Sequence, residues 1–226
     1  MDKIEMHVIA RIKSDFPTKF GIPRQSGLVE ELQATIIMEP EFRNPDMLRG
    51  LDGFSHLWLI WQFSANADKA WSPTVRPPRL GGNTRLGVFA TRSTFRPNFI
   101  GLSSVKLEGL EQTKDFGTVI HVSGADLMDG TPIFDIKPYI PYGDCHPDAT
   151  GGFTDTAGSY LLEVDFPKEL LCRLPEDKHW AAIGVLSHDP RPSYQKDSER
   201  IYGISFAGFD IRFQVKEDRL TVIEVI

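Results

Sequence analysis

The sequence predicts a mainly β protein, an antiparallel β-barrel followed by a small α+β appendage, and two observations carry that expectation. Over the first two-thirds of the 226 residues, apolar side chains recur at every second position in short runs. Turn-forming clusters such as PRQSG, EFRNP, PPRLGGN and FRPNF separate those runs. No helical period of useful length appears before about residue 160, and the pattern changes only after it. Short antiparallel strands without crossover helices are best accommodated by closure into a barrel, which leaves no sheet edge exposed.

The first run sets Ile4, Met6, Val8, Ala10 and Ile12 on one face and Glu5, His7, Arg11 and Lys13 mostly on the other, as a strand with one dry side requires. Further strands are expected at residues 33–39, 54–63, 85–91, 102–108, 117–123 and 131–137. The run 142–158, YGDCHPDATGGFTDTAG, is rich in Gly, Asp and Thr and reads as a linker or long loop. Beyond it Tyr160, Leu162, Val164 and Phe166 alternate, Trp180, Ile183 and Leu186 fall near helical spacing, and Phe209, Ile211, Phe213 and Val215 alternate again. The expected division is a barrel domain over 1–145, a linker over 146–158 and a small α+β C-terminal domain over 159–226, with no internal repeat.

Composition narrows the class of function. A hydrophobic share of 41% with 25% charged residues is that of a soluble globular chain. No run approaches the ~18 consecutive apolar residues of a membrane span. The start, MDKIEMHVIARIK, alternates instead of presenting a signal-peptide core, so a cytoplasmic location without a membrane partner is expected. Cys145 and Cys172 form no CxxC pair and the six histidines lack metal-ligand spacing, so free thiols, buried or semi-exposed, and no metal are expected. The net charge of −6 is unevenly spread: from Lys69 to Leu107 there are seven basic residues and no acid, and from Glu108 to Asp155 nine acids against two lysines. A basic face on an acidic protein suits one polyanionic partner held at one place, although strands that merely expose arginine give the same count.

Three segments carry recognisable chemistry. In FGIPRQ (20–25), Gly and Pro fix a tight turn that presents a guanidinium fork on Arg24 and an amide on Gln25; an ordinary solvent loop has the same composition. In VRPPRLGGNTRLGVFATRSTFRPNFIGLS (75–103), Arg92 and Arg96 flank Ser93, Thr94 and Phe95. That arrangement offers bidentate grips and neutral donors to an anion or zwitterion, or caps for the carbonyls of a bulge. In GADLMDGTPIFDIKPY (124–139), Asp126, Asp129 and Asp135 crowd around a Gly-Thr-Pro turn, a density suited to a site; taken alone, Asp129-Gly130-Thr131-Pro132 is adequately explained as a turn. There is no P-loop, no strand-GxGxxG-helix and no GxSxG elbow.

Taken together, FGIPRQ, LDGFSHLWL (51–59), VRPPRLGGN (75–83), GVFATRSTFRPNFIGLS (87–103), DLMDGTPIFDIKPYIPYGD (126–144) and DPRPSY (189–194), followed by RIYGI, resemble the TrmO-type, TsaA-like family. The resemblance implies a non-Rossmann, β-barrel methyltransferase that uses S-adenosylmethionine and works as a homodimer with the donor near the subunit interface. It implies methylation of N6 of threonylcarbamoyl-adenosine next to the anticodon of threonine tRNA. Carried over by motif, the donor site comprises Pro23, Arg24 and Gln25, then Ser64 and Ala65, Arg92 in ATRS, Leu102 in IGLS, and Asp126, Leu127, Met128 and Asp129 in DLMD. Ser64 stands where the family usually has histidine, and Thr94 and Phe99 stand where it tends to have proline.

From the residues themselves, Asp126 and Asp129 are suited to accepting from ribose hydroxyls or pairing with an ammonium group, and Arg24 or Arg92 to clamping a carboxylate. The basic run would hold anticodon-loop phosphates, and Trp71 or Phe95 would stack on splayed bases or else fill the core. The appendage is expected to support RNA docking or dimer contacts. Two other functions stay open: a non-catalytic RNA-binding barrel, and a methyltransferase acting on a different acceptor.

Overall fold

The computed structural model describes residues 4–67, 69–77, 80, 83–156, 160–191 and 197–226. Arg79 of the basic run, Pro78, the Gly81-Gly82 pair, the 157–159 end of the linker and residues 192–194 of DPRPSY lie outside the described residues. Strand β1 (Ala10–Lys13) pairs antiparallel with β2 (Gln33–Met38), and β3 (His56–Gln62) follows in the chain. After a two-stranded ribbon of β4 (Thr74–Val75) and β5 (Leu86–Gly87) come β6 (Ile100–Thr113), β7 (Gly117–Ser123) and β8 (Pro132–Pro138). The pairings run β1, β2, β7, β6, β3, β8 and back to β1, closing a barrel.

Alternation builds the barrel core. On β2 Ala34, Ile36 and Met38 point inward, and on β3 Leu57, Leu59 and Trp61 do the same. Each of the larger side chains, Ile, Met or Leu, taken fully from water contributes about 1.5–3 kcal/mol, which offsets the ordering of its strand. The first predicted strand is shorter than expected: it begins only at Ala10, and Ile4 and Met6 are exposed. Residues 85–91 do not form a barrel strand. After β5 the chain bends into a 3-10 turn at Val88–Ala90, because the Arg96 side chain gathers the carbonyls of Val88 and Thr91 at 3.2 and 2.6 Å.

The C-terminal unit is an α+β layer. Its sheet has the order β10 (Tyr202–Phe206), β11 (Phe209–Lys216), β12 (Arg219–Val225), β9 (Glu163–Asp165), with β9 parallel to β12, and the helix His179–Ser187 packs beside it. Two short helical turns, Pro141–Asp144 and Phe153–Thr156, occupy the predicted loop. Both cysteines are exposed free thiols, more open than expected. No described helix is long and apolar enough to cross a membrane.

The second hydrophobic core is shared with the N-terminal part of the chain. Phe16, Val29 and Leu32, all from the connection between β1 and β2, are buried with Leu186, Ile204, Phe206 and Phe213, and Phe20 and Ile22 pack against them. Polar ties fasten the same connection to the C-terminal unit: Lys178 Nζ donates to Asp15 at 2.7 Å, and Ala207 N to the Asp15 carbonyl at 2.9 Å. Gly21 makes the contact possible. Its φ of +96° is open to glycine, and a Cβ there would lie 3.1 Å from Ile204 Cγ2. The segment that bears FGIPRQ is thus clamped against the C-terminal sheet.

Candidate active site

A cleft of about 550 Å³ opens where the β1–β2 connection, the end of β3, the 91–96 corner, the start of β6 and the 126–131 turn converge. Of the residues singled out in the sequence, Pro23, Arg24, Gln25, Ser64, Ala65, Arg92, Leu102, Asp126 and Met128 line it. Leu127 does not: its side chain is fully buried in the barrel core. Asp129 does not line it either. It is exposed, and its Oδ1 accepts from Ser14 N at 2.9 Å, so it ties the 126–131 turn to the chain just after β1. The adjacent Gly130, with φ +73°, turns the chain between these roles and the next strand.

The charged wall of the cleft is connected. Arg92 Nη1 donates to Gln25 Oε1, and Gln25 Nε2 donates to the Arg24 carbonyl, so FGIPRQ and ATRS meet. Arg96 lines the cleft too, but its guanidinium is used on backbone carbonyls, and of the two arginines around Ser93, Thr94 and Phe95 it is Arg92 that reaches another motif. Trp71 and Phe95 are exposed rather than in a core.

Asp126 is held by a chain of donors that the sequence did not reveal. Trp61 Nε1 donates to Ser103 Oγ at 2.9 Å, and Ser103 Oγ donates to Asp126 Oδ1 at 2.5 Å. Gly101, paired with Trp61 across the strands, leaves room for the indole: a Cβ there would lie 2.4 Å from Trp61 Cε2. Phe63 packs edge-on to that indole with centroids 4.4 Å apart. A register shift between Ile60 and Trp61 relative to β8 ends the regular ladder at this point, as bulges beside sites commonly do. A polar Ser103 on an inward-facing position of β6, two residues after a buried glycine, was the available sign.

Burial raises the Asp126 carboxyl above its ordinary value; the Ser103 hydroxyl and then the Arg92 charge act in the opposite direction without overcoming it. A carboxyl with a folded pKa above its unfolded one favours folding at low pH and loses that contribution as pH rises through the folded value. At neutral pH the raised value therefore opposes folding. Asp126→Asn, which preserves an acceptor for Ser103, is expected to raise the melting temperature at pH 7, with the gain vanishing below the carboxylate range. Thermal melts at the two pH values check this, and a variant less stable than the parent at pH 7 contradicts it.

The donor groups fit a zwitterionic nucleoside ligand. Arg24 and Arg92 offer guanidinium forks and Asp126 a carboxylate, while Trp61, Phe63, Ile100 and Leu102 give an apolar surface; the volume lies within the range of small-molecule sites. Leu102 and Ile100 are exposed on a barrel strand, as expected of side chains that face a ligand.

Comparison with known proteins gives a consistent picture. The domain family described as tRNA-methyltransferase O N-terminal domain matches residues 11–145, and the TrmO C-terminal domain matches residues 160–226. The chain is 39% identical over 225 residues to the tRNA (adenine(37)-N6)-methyltransferase of Escherichia coli (strain K12), covering 96% of this chain and 95% of that one. It is also 39% identical over 228 residues to a Pseudomonas aeruginosa protein provisionally named an S-adenosylmethionine-dependent methyltransferase, RcsF, at 96% and 95% coverage. A crystal structure of TrmO from Pseudomonas aeruginosa aligns over 100% of both chains with a TM-score of 0.79 and 33% identity.

Proposed function

The chain belongs to the tRNA-methyltransferase O family, and from that premise we propose that it methylates N6 of adenosine 37 of tRNA with S-adenosylmethionine as donor. The observation that carries the reading is the convergence of FGIPRQ, the end of β3, ATRS, IGLS and Asp126 on one cleft of mixed charged and apolar lining. When bound, S-adenosylmethionine supplies a methyl group already activated by its sulfonium. Transfer breaks the S–CH3 bond, forms the N6–CH3 bond and releases the N6 proton to solvent; the chain's cleft residues hold donor and acceptor in line, and such positioning accounts for several kcal/mol of a barrier, about 7–11 at best.

Each cleft residue has a role in that positioning. Arg92, steadied by Gln25, clamps the donor carboxylate, with Arg24 beside it. Asp126 accepts from donor hydroxyl or ammonium groups on the side not taken by Ser103. Pro23, Ser64, Ala65, Leu102 and Met128 shape the remaining wall, and Leu127 and Asp129 act behind it, one as core and one as a tie to Ser14. The acceptor adenosine carries a threonylcarbamoyl group and belongs to threonine tRNA; the anticodon-loop phosphates lie along the basic run, with Trp71 and Phe95 available for stacking. The enzyme is a cytoplasmic homodimer with the donor site near the subunit interface, and residues 1–145 and 159–226 are its two domains.

The test is calorimetric titration with S-adenosylmethionine of the parent protein and of Arg92→Ala. Saturable binding weakened at least tenfold by the substitution, about 1.4 kcal/mol, supports the reading, and methylation of modified tRNA follows as the assay. Absence of donor binding overturns it and leaves a barrel that holds RNA without chemistry.

A further inference from the structure

A second set of polar groups at the cleft plays no part in the donor arrangement above. Lys19, from the same clamped segment as Arg24, lines the cleft, and its Nζ lies 3.5 Å from Asn66 Oδ1. Asn66 is buried, and its Nδ2 donates to Thr94 Oγ1 at 3.0 Å, so the amide is fixed with its oxygen toward the lysine. Lys69 N donates to the Asn66 carbonyl at 3.0 Å, and the Lys69 ammonium lies 6.0 Å from the ring centroid of Phe95, another cleft residue. Burial, and after it the charge of Lys69, pulls Lys19 below its ordinary pKa. Among the described residues, neither lysine forms an ion pair with a carboxylate, as is also true of Lys13, Lys114 and Lys168.

Two neighbouring cations without a carboxylate partner repel each other and favour an anion placed between them. Arg24, Gln25, Arg92 and Asp126 are linked to one another by hydrogen bonds and charge, and the described contacts of Lys19 and Lys69 lead elsewhere, to Asn66, Thr94 and Phe95. We propose that Lys19 and Lys69, with Asn66 and Thr94 behind them, form an oxyanion subsite for the acceptor RNA. This rests on reading the cleft as the methyl-transfer site. The favoured oxyanion is the carboxylate of the amino-acid group carried on N6, which sits a few bonds from the methyl acceptor and must enter the cleft with it; a backbone phosphodiester is the other source of the same chemistry.

The experiment measures binding of two labelled anticodon stem-loops to the full-length protein saturated with S-adenosylhomocysteine. One carries threonylcarbamoyl-adenosine, and the other has the threonine carboxylate converted to a primary amide. The parent is expected to bind the carboxylate form at least tenfold more tightly than the amide. Lys19→Met should remove that preference while its affinity for S-adenosylhomocysteine stays within about twofold of the parent's, and Lys69→Met should reduce the preference in part. Equal weakening of both stem-loops, with a salt slope smaller by about one, supports the subsite and assigns it to a phosphodiester. Unchanged RNA affinity in both variants, or a loss of S-adenosylhomocysteine affinity as large as the loss for RNA, overturns the subsite while leaving the methyltransferase reading intact. A parent protein that binds the nucleoside but neither stem-loop overturns the tRNA reading, and the subsite with it.

Discussion

Asp189→Ala is expected to destabilise the protein by about 3–5 kcal/mol, because it strands a buried guanidinium. The Arg191 side chain is 10% exposed and is gripped by both oxygens of Asp189, Nε at 2.8 Å and Nη2 at 3.0 Å, while the Tyr160 hydroxyl donates to Oδ2 at 2.6 Å. Burial penalises the Asp189 carboxylate, but the Arg191 and Tyr160 hydrogen bonds prevail and hold its pKa below the ordinary value. A group lowered on folding stabilises above its unfolded pKa and loses that contribution as pH falls through the folded one, so the effect is complete at neutral pH. Asp189 also occupies φ +49°, a conformation that asparagine tolerates better than alanine. Urea unfolding at pH 7 should rank the parent above Asp189→Asn and Asp189→Ala lowest, and equal stabilities for the parent and Asp189→Ala would refute the pair's role.

Gly101→Ala is the second large expectation, and it links stability to the cleft. The clashing atoms belong to the middle of the Trp61 indole, which Phe63 holds from one side, so no flexible end can swing away. Overpacking of this kind costs about 1–3 kcal/mol. Displacing the indole breaks its bond to Ser103 and leaves a buried N–H unpaired, adding a similar amount. The same shift frees Ser103 from the geometry in which it donates to Asp126, so donor affinity should fall at least tenfold. Denaturant curves and donor titration on one preparation check both effects. A variant that is destabilised yet binds the donor normally would show that Asp126 does not depend on this chain of donors.

Much of the β architecture was legible because alternation reports a dry face directly. Leu57, Leu59 and Trp61 on β3, and Ile211, Phe213 and Val215 on β11, follow the expected pattern. Alternation does not identify the neighbour, which is why Ile4 and Met6 looked like strand residues although no ladder reaches them. Residues 85–91 had the composition of a strand, and the Arg96 guanidinium, bonding two carbonyls a few residues back, bent them into a turn. The site divides the same way. Motif identity selected Arg92 and Asp126, whereas Trp61, Ser103 and Lys19 act through partners 23 to 47 positions away and carry no local signature. Asp126 and Asp129, three residues apart, were indistinguishable in sequence; in the fold Asp126 lines the cleft while Asp129 bonds Ser14 N at the end of β1.

The connection between β1 and β2 seals the C-terminal core with Phe16, Val29 and Leu32 and presents Lys19, Arg24 and Gln25 to the cleft. Occupancy of the cleft and integrity of the C-terminal sheet are therefore thermodynamically linked, and linkage is reciprocal. A ligand present at a hundred times its Kd contributes about 2.7 kcal/mol to the folded state, and part of that must act on a sheet the ligand never touches. Conversely, a substitution that loosens the C-terminal sheet is expected to weaken affinity at the cleft without touching any residue that lines it.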